Sequence, residues 1–207
     1  RPGRGGGGHA GLAQVPAMNV WEGLNPPYAT IVADPPWDYG STFTPKNPGE
    51  EWQKGAECPY QMMGPTEIAA LPVRSLAADD AHLYLWVTNR FMEAGHAIAR
   101  AWGFTPKTIL TWGKVQPDGS PSMKVGHWFR SATEHVIFAT RGAVPRKSTD
   151  AISTLMLWPR IAAHSVKPAA FGDLVEQVSP GPYVELFARQ PRLGWDHWGH
   201  GYEGQVA

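Results

Sequence analysis

The most constraining feature of this sequence is the apolar run Tyr28–Ala33, which stops at the four residues Asp34-Pro35-Pro36-Trp37. A β-branched run that ends in an acidic residue and two prolines is typical of a buried strand that delivers a rigid loop at its carboxyl end, where open α/β sheets bind ligands. The prolines have no backbone N–H, and an ionised Asp34 only accepts hydrogen bonds. These four residues therefore form a wall of oxygen acceptors, with the indole of Trp37 beside it. Such a wall suits a ligand that donates protons from a planar amine.

The rest of the chain alternates strand patterns with helical patterns. Strands are predicted at residues 82–88, 108–112, 135–140 and 183–189, and helices at residues 66–71, 89–102 and 167–178, the first of them capped by Thr66. This alternation predicts an α/β sheet with crossover connections. Long stretches without periodicity are predicted to be irregular binding loops, at residues 38–60, 116–130 and 142–166, and residues 195–204 are expected to fold back against the sheet.

Composition sets outer limits on the class of protein. The 207 residues fit a single domain over residues 16–207, preceded by an Arg/Gly-rich tail at residues 1–15 that is expected to be disordered. Eighteen basic and eighteen acidic residues cancel, so any polyanion would have to be met by a local patch. A single cysteine, Cys58, excludes an internal disulfide, and the sequence has no apolar run long enough to span a membrane. We therefore expect a soluble intracellular protein.

The wall at the end of the first strand predicts a particular chemistry. An exocyclic aryl amine is a poor nucleophile because its lone pair is delocalised into the ring, and two oxygen acceptors on its N–H bonds would localise that pair. Asp34 and the Pro35 carbonyl can supply the two oxygens, while Trp37 stacks on the ring. Attack on a sulfonium methyl group then needs the two reacting atoms within about 3–3.5 Å of each other. Seven tryptophans lie near predicted strand ends and loops, and most are expected to pack while one or two stack on bases: Trp37, Trp86, Trp112, Trp128, Trp158, Trp195 and Trp198.

These residues carry a family resemblance over most of the chain beyond residue 25. Asp34-Pro35-Pro36-Trp37 resembles the catalytic motif of the MT-A70 family, the S-adenosylmethionine-dependent N(6)-adenine methyltransferases. The later matching motifs follow in the family's order: Pro59-Tyr60, Leu85-Trp86-Val87-Thr88, Trp102-Gly103-Phe104, Gly126-His127-Trp128, Glu134-His135, His164-Ser165-Val166-Lys167-Pro168, Ser179-Pro180-Gly181 and Glu185-Leu186-Phe187-Ala188-Arg189. The resemblance implies a Rossmann-like α/β methyltransferase fold in one domain, with the catalytic motif preceding the main cofactor-binding strand.

The resemblance also implies roles for individual residues. The catalytic set would be Asp34, Pro35, Pro36, Trp37 and Tyr60, and S-adenosyl-L-methionine would be bound by Asp34, Lys167, Glu185, Phe187, Arg189 and His200. Substrate would be bound by Trp37, Tyr60 and Glu134. Arg141 is a further substrate-binding candidate because it opens the most basic part of the chain, which suits contacts with phosphate. The family usually has Asn where His200 stands, and Gln or an acidic residue where Gly201 stands. No metal is predicted, because the histidines lack a ligand pattern with Cys or carboxylates.

The resemblance implies a nucleic-acid substrate, with DNA preferred to RNA because the chain lacks the extra domains of the eukaryotic RNA enzymes. We expect a protein of the cytoplasm, in a bacterium or an infected bacterial host, acting alone, as a homodimer or with a partner subunit. Two alternatives stay open at this point. One is a noncatalytic nucleic-acid-binding or scaffold subunit, against which the intact Asp34-Pro35-Pro36-Trp37 motif counts. The other is a methyltransferase for small-molecule amines.

Overall fold

The computed structural model describes residues 20–39, 62–123, 128–160 and 167–199. The predicted tail at residues 1–15, Cys58, Tyr60 and His200 lie outside these ranges. None of the helices within them is both long enough and apolar enough to cross a membrane.

A mixed seven-stranded sheet forms the centre of the described part of the chain, in the order β5-β3-β4-β2-β1-β6-β7. The strands are β1 (Tyr28–Ala33), β2 (Ala77–Val87), β3 (Thr105–Val115), β4 (Thr133–Arg141), β5 (Leu155–Pro159), β6 (Tyr183–Leu186) and β7 (Trp195–Trp198). Strand β4 runs antiparallel to both of its neighbours, and every other pair is parallel. The carboxyl ends of β1, β2, β3 and β6 therefore lie at one edge of the sheet, together with the start of β4.

Within the described ranges, three α-helices flank the sheet: α1 (Pro65–Ala70), α2 (Met92–Ala101) and α3 (Ala169–Val178). The backbone N–H of Gly64 donates to Glu67 Oε2 at 2.7 Å, so α1 begins after Gly64, and the expectation that Thr66 caps this helix is wrong. A short 3-10 segment, Asn89–Phe91, precedes α2. Helix α3 begins directly after Pro168, whose fixed φ suits a helix start.

Alternating side chains of the central strands build a separate core on each face of the sheet. Ile31 and Ala33 of β1 belong to the core that also contains Ile98 and Trp102, on the side of α2. Val32 belongs to the opposite core, which includes Trp86, Val136, Phe171 and Val175 and is covered by α3. This alternation decides which residues at the strand ends face α3, and those residues build the site described below.

The sequence patterns missed part of the sheet. Residues 142–166 were expected to be loop, yet they contain β5, an edge strand on which Leu155 and Leu157 are exposed. The expected strand over residues 183–189 stops at Leu186, because Phe187 has a φ of 64° and leaves the extended conformation. Part of the terminal segment that was expected to fold back against the sheet forms β7, which pairs with β6.

Candidate active site

Strand β1 ends beside two neighbours, and this places Asp34 in the centre of the edge. Ala33 pairs with Leu85 of β2 on one side and with Leu186 of β6 on the other. Asp34 follows with its backbone N–H donating to the Leu186 carbonyl at 3.3 Å. Because Asp34 is two residues after Val32, its side chain faces α3. The residue is only 8% exposed, so its carboxylate needs charged partners.

Two cations supply those partners. Lys167, which immediately precedes the α3 cap, donates from Nζ to Asp34 Oδ2 at 2.7 Å, and an Arg189 guanidinium nitrogen lies 3.7 Å from the same oxygen. Both contacts use Oδ2, so within the described residues the other carboxylate oxygen is left for a ligand. The structure thus brings Asp34 together with two predicted site residues that lie more than 130 positions after it in sequence.

The line of charges continues across β4 to β3. Lys167 Nζ lies 3.6 Å from Glu134 Oε2, and it sits 4.9 Å from the centre of the Trp86 ring. Glu134 Oε1 accepts a hydrogen bond from Lys114 Nζ. Glu134, predicted as a substrate-binding residue, is therefore held between two lysines at the edge that carries Asp34.

Glu185 adds a second acid to the pocket. Its pKa is raised to about 7, first by burial and then by the nearby negative charge of Asp34. Glu185 and Phe187 both line a pocket with Asp34, Lys167 and Arg189. The pocket therefore combines two acids and three cations with aromatic side chains, and one of the acids titrates near neutral pH.

Trp37 does not have the position expected of a ring that stacks on a base. It is 6% exposed, its indole N–H donates to the Trp86 carbonyl at 3.1 Å, and its ring stacks on Phe91 with centroids 4.7 Å apart. Trp37 belongs to the core on the α2 side, opposite the face of Asp34. In this arrangement Trp37 fixes the loop, and its predicted stacking role finds no support.

The Pro35 carbonyl, expected to be the second acceptor for the amine, already accepts the Trp37 backbone N–H at 2.9 Å. A carbonyl oxygen has two lone pairs, so a second hydrogen bond remains available to it. The Pro36 carbonyl accepts the Met63 backbone N–H at 2.8 Å, which fixes the loop to the start of the α1 segment. The role of Pro35 as an acceptor stays a prediction, and the Pro36 carbonyl helps to hold the loop in place.

Arg141 lies far from this group, and the expectation that it joins the substrate site is wrong. It pairs with Ala81 near the start of β2, at the opposite edge of the sheet from Asp34. Its guanidinium contacts the carbonyls of Arg74 and Ala77 and the carboxylate of Asp79. The physical reason is the direction of β4, which runs antiparallel to β2 and carries its last residue away from the site.

Residues that the sequence patterns did not single out also surround the site. The Tyr39 hydroxyl donates to Thr88 Oγ1 at 3.0 Å, and its pKa is raised mainly by burial. Arg192 lines the pocket and is held by Glu176 at 2.8 Å and Asp173 at 2.6 Å. The sequence contains a weak indication that Lys114 is unusual. It follows Leu110 and Trp112 at alternate positions of a strand, where a further apolar residue is expected on the buried face.

Gly199 shows how closely two segments approach beside the pocket. A Cβ at this position would lie 2.6 Å from the Ala188 carbonyl oxygen and 2.8 Å from its nitrogen, so only glycine fits without a shift. The Ala188 backbone N–H donates to the Trp198 carbonyl at 3.1 Å. This contact keeps the end of β7 against the residues that follow β6, next to Arg189.

The chemistry of the pocket fits a ligand of mixed charge. Lys167 and Arg189 can meet a carboxylate, while Asp34 and Glu185 can meet an ammonium group, hydroxyls or another cation. Phe187 and Trp86 offer apolar surface between them. Across the described ranges no three His, Cys, Asp or Glu side chains are grouped as ligands for a metal ion.

A mixed α/β sheet that gathers acids and cations at its carboxyl edge defines a ligand-binding α/β protein, in which the site lies where parallel strands end. Comparison with known proteins specifies the family. The MT-A70 family model matches residues 28–201, and the chain belongs to the MT-A70 family. The family and the Rossmann-like methyltransferase fold predicted from the sequence are thereby confirmed.

Individual relatives have names that agree with the predicted enzyme class. The chain is 32% identical over 184 residues to the type II methyltransferase M.MunI of a Mycoplasma species, a match covering 83% of this chain and 76% of that protein. It is 29% identical to the N(6)-adenosine-methyltransferase MT-A70-like protein of Drosophila melanogaster, over 86% of this chain and 27% of the relative. It is 28% identical to the N(6)-adenosine-methyltransferase catalytic subunit METTL3 of Homo sapiens, over 78% of this chain and 26% of the relative. The chain thus spans about a quarter of the length of these two animal proteins.

Proposed function

We propose that this protein transfers a methyl group from S-adenosyl-L-methionine to the exocyclic 6-amino group of adenine in nucleic acid, with DNA preferred to RNA. The observation that carries the proposal is the position of Asp34, the residue that follows β1. Its buried carboxylate lies in a pocket that is also lined by Lys167, Arg189 and Glu185. Family membership supports the reaction class. The likeness to a type II methyltransferase over most of its length favours DNA.

The cofactor fits the charges of the pocket. Its methionine carboxylate would be met by Lys167 and Arg189, and its ribose hydroxyls by Glu185, with Phe187 against the apolar surface. When bound, the cofactor supplies a methyl group activated by a sulfonium. A carboxylate bound to Lys167 and Arg189 would compete with Asp34 for these cations, and the Asp34 carboxylate could then accept a hydrogen bond from another donor.

That donor is the adenine amine. The Asp34 carboxylate accepts one N–H and the second lone pair of the Pro35 carbonyl accepts the other, which directs the nitrogen lone pair toward the methyl group. Transfer would exchange the S–CH3 bond of the sulfonium for an N–CH3 bond and leave S-adenosyl-L-homocysteine, and Asp34, in contact with the amine, would accept the proton that the nitrogen loses. The burial of Asp34 excludes water from this contact and strengthens it.

Exposed aromatic side chains at the same edge support a nucleic-acid substrate. Trp128 and Phe129, in the connection from β3 to β4, are 86% and 91% exposed. Phe129 is five residues before Glu134, so it lies within about 18 Å of the charged row by chain length alone. Exposed Arg130 belongs to the same connection, and exposed Arg160 follows β5 at this edge, with its backbone N–H donating to the Val115 carbonyl at 3.3 Å. Stacking surfaces beside cations are typical of single-stranded nucleic-acid binding.

Methyl transfer from labelled cofactor to DNA, to RNA and to free adenosine tests the proposal. We expect transfer to nucleic acid, and DNA to be modified faster than RNA of the same sequence. Asp34→Ala should abolish transfer, and Asp79→Ala, which removes an exposed carboxylate at the opposite edge, should not. Nucleic-acid binding without transfer would instead identify a noncatalytic subunit, and transfer to adenosine alone would identify a small-molecule enzyme.

A further inference from the structure

Lys114 is a buried lysine that lies outside the pocket. It is the next-to-last residue of β3, it is only 6% exposed, and β4 and β2 separate its strand from β1 and Asp34. Lysine is rarely buried without a partner because its ammonium group loses its hydration. Its burial at this edge therefore requires a specific contact.

That contact is Glu134. Lys114 Nζ donates to Glu134 Oε1, and the face of the Trp112 ring lies 4.5 Å from the same ammonium group. The other oxygen of Glu134 faces Lys167 at 3.6 Å, and Lys167 in turn donates to Asp34 at 2.7 Å. Positive and negative groups thus alternate across the sheet edge, and Lys114 is the end of the row furthest from the pocket.

Building on the proposed methyl transfer, we propose that Lys114 is a positioning residue that acts through Glu134. With Lys114 in place, Glu134 pairs with β3, and Lys167 stays beside Asp34 in the pocket, where it would hold the cofactor carboxylate. Without Lys114, the cation that faces the partly buried Glu134 is Lys167, at 3.6 Å, and the carboxylate would draw Lys167 away from the position in which it would hold the cofactor. Removal of Lys114 would then lower the turnover of the enzyme even in a variant that still folds.

A cycle of Lys114→Met and Glu134→Gln, measured as kcat at saturating substrates on protein shown to be folded, tests this dependence. We expect Lys114→Met to lower kcat by about tenfold or more, and the double variant to be no slower than Glu134→Gln alone. Lys114→Arg, which keeps the charge, should recover most of the rate. Lys107→Met, an exposed lysine near the other end of β3, is the matched control and should match the wild type. Independent losses that multiply, or a folded Lys114→Met enzyme with full kcat, would overturn the proposal.

A second measurement does not depend on catalysis. Lys114 and Lys167 contact the same carboxylate, so Lys114→Gln and Lys167→Met should change the unfolding equilibrium constant non-additively, by about threefold or more. Lys114→Gln also replaces Lys114→Met if the latter does not fold. A wild-type protein that transfers no methyl group to nucleic acid would refute the proposed function, whereas additive effects on unfolding would refute the role of Lys114 whatever the activity.

Discussion

The pair formed by Lys167 and Asp34 makes a quantitative prediction about stability. Their side chains are 17% and 12% exposed, and the two charged atoms are 2.7 Å apart. Removing one partner of a buried ion pair costs about 3–5 kcal/mol, because the other charge is left buried and uncompensated. After Lys167→Met, however, Asp34 keeps Arg189 at 3.7 Å. We therefore expect a loss just below this range, about 2–3 kcal/mol.

Urea unfolding followed by tryptophan fluorescence measures this loss. For a chain of this size, 2–3 kcal/mol corresponds to a melting temperature lower by about 4–12 °C. The double variant Asp34→Asn with Lys167→Met should lose less than the sum of the two single variants, because each single change leaves a charge without its partner. Lys107→Met, on the exposed surface, should stay within about 0.5 kcal/mol of the wild type. A Lys167→Met protein as stable as the wild type would show that the pair does not form.

Two further predictions concern the pocket acid and the exposed aromatic pair. Burial raises the pKa of Glu185 from 4.5 to about 7, so both folded and unfolded states are protonated below pH 4.5, while above pH 7 the folded state bears the full cost of ionisation. Stability should therefore fall between these pH values, by up to about 3 kcal/mol, and Glu185→Gln should remove that part of the pH dependence in urea titrations. Replacing Trp128 and Phe129 together with Ala should raise KM for oligonucleotides about tenfold or more while leaving cofactor affinity within about threefold, since stacking contributes about 1–3 kcal/mol per base. Leu193→Ala, at a fully exposed leucine, is the control, and equal KM values for the aromatic variant and this control would contradict the stacking role.

Local patterns were enough to predict the centre of the fold. The apolar run before Asp34 is β1, and α3 begins directly after Lys167-Pro168, as the apolar pattern and the proline predict. Both elements depend on neighbours in sequence. The meeting of Asp34 with Lys167 followed from the family resemblance and not from periodicity, because no local pattern encodes a contact over 133 positions.

The errors arose where strand direction or pairing decides the outcome. Glu134 and Arg141 lie at the two ends of the same strand, and the antiparallel course of β4 places only Glu134 at the site edge. The sequence shows that Arg141 lies in a basic segment, but it does not show at which edge of the sheet Arg141 lies. Trp37 was placed on the base because its motif is adjacent to Asp34, whereas the turn through the prolines sends its ring to the other face. Strand β5 was missed because its pairing with β3 cannot be read from its own five residues.

The central claim is that Asp34 directs a methyl group to the 6-amino nitrogen of adenine, and one measurement tests it most directly. DNA treated with the protein and labelled cofactor is digested to nucleosides, and the labelled nucleoside is identified by chromatography and mass spectrometry. The account predicts N(6)-methyl-deoxyadenosine from the wild type and no labelled nucleoside from Asp34→Ala at equal folded concentration. Label on a ring nitrogen or on cytosine, or N(6)-methylation that persists in Asp34→Ala, would contradict it.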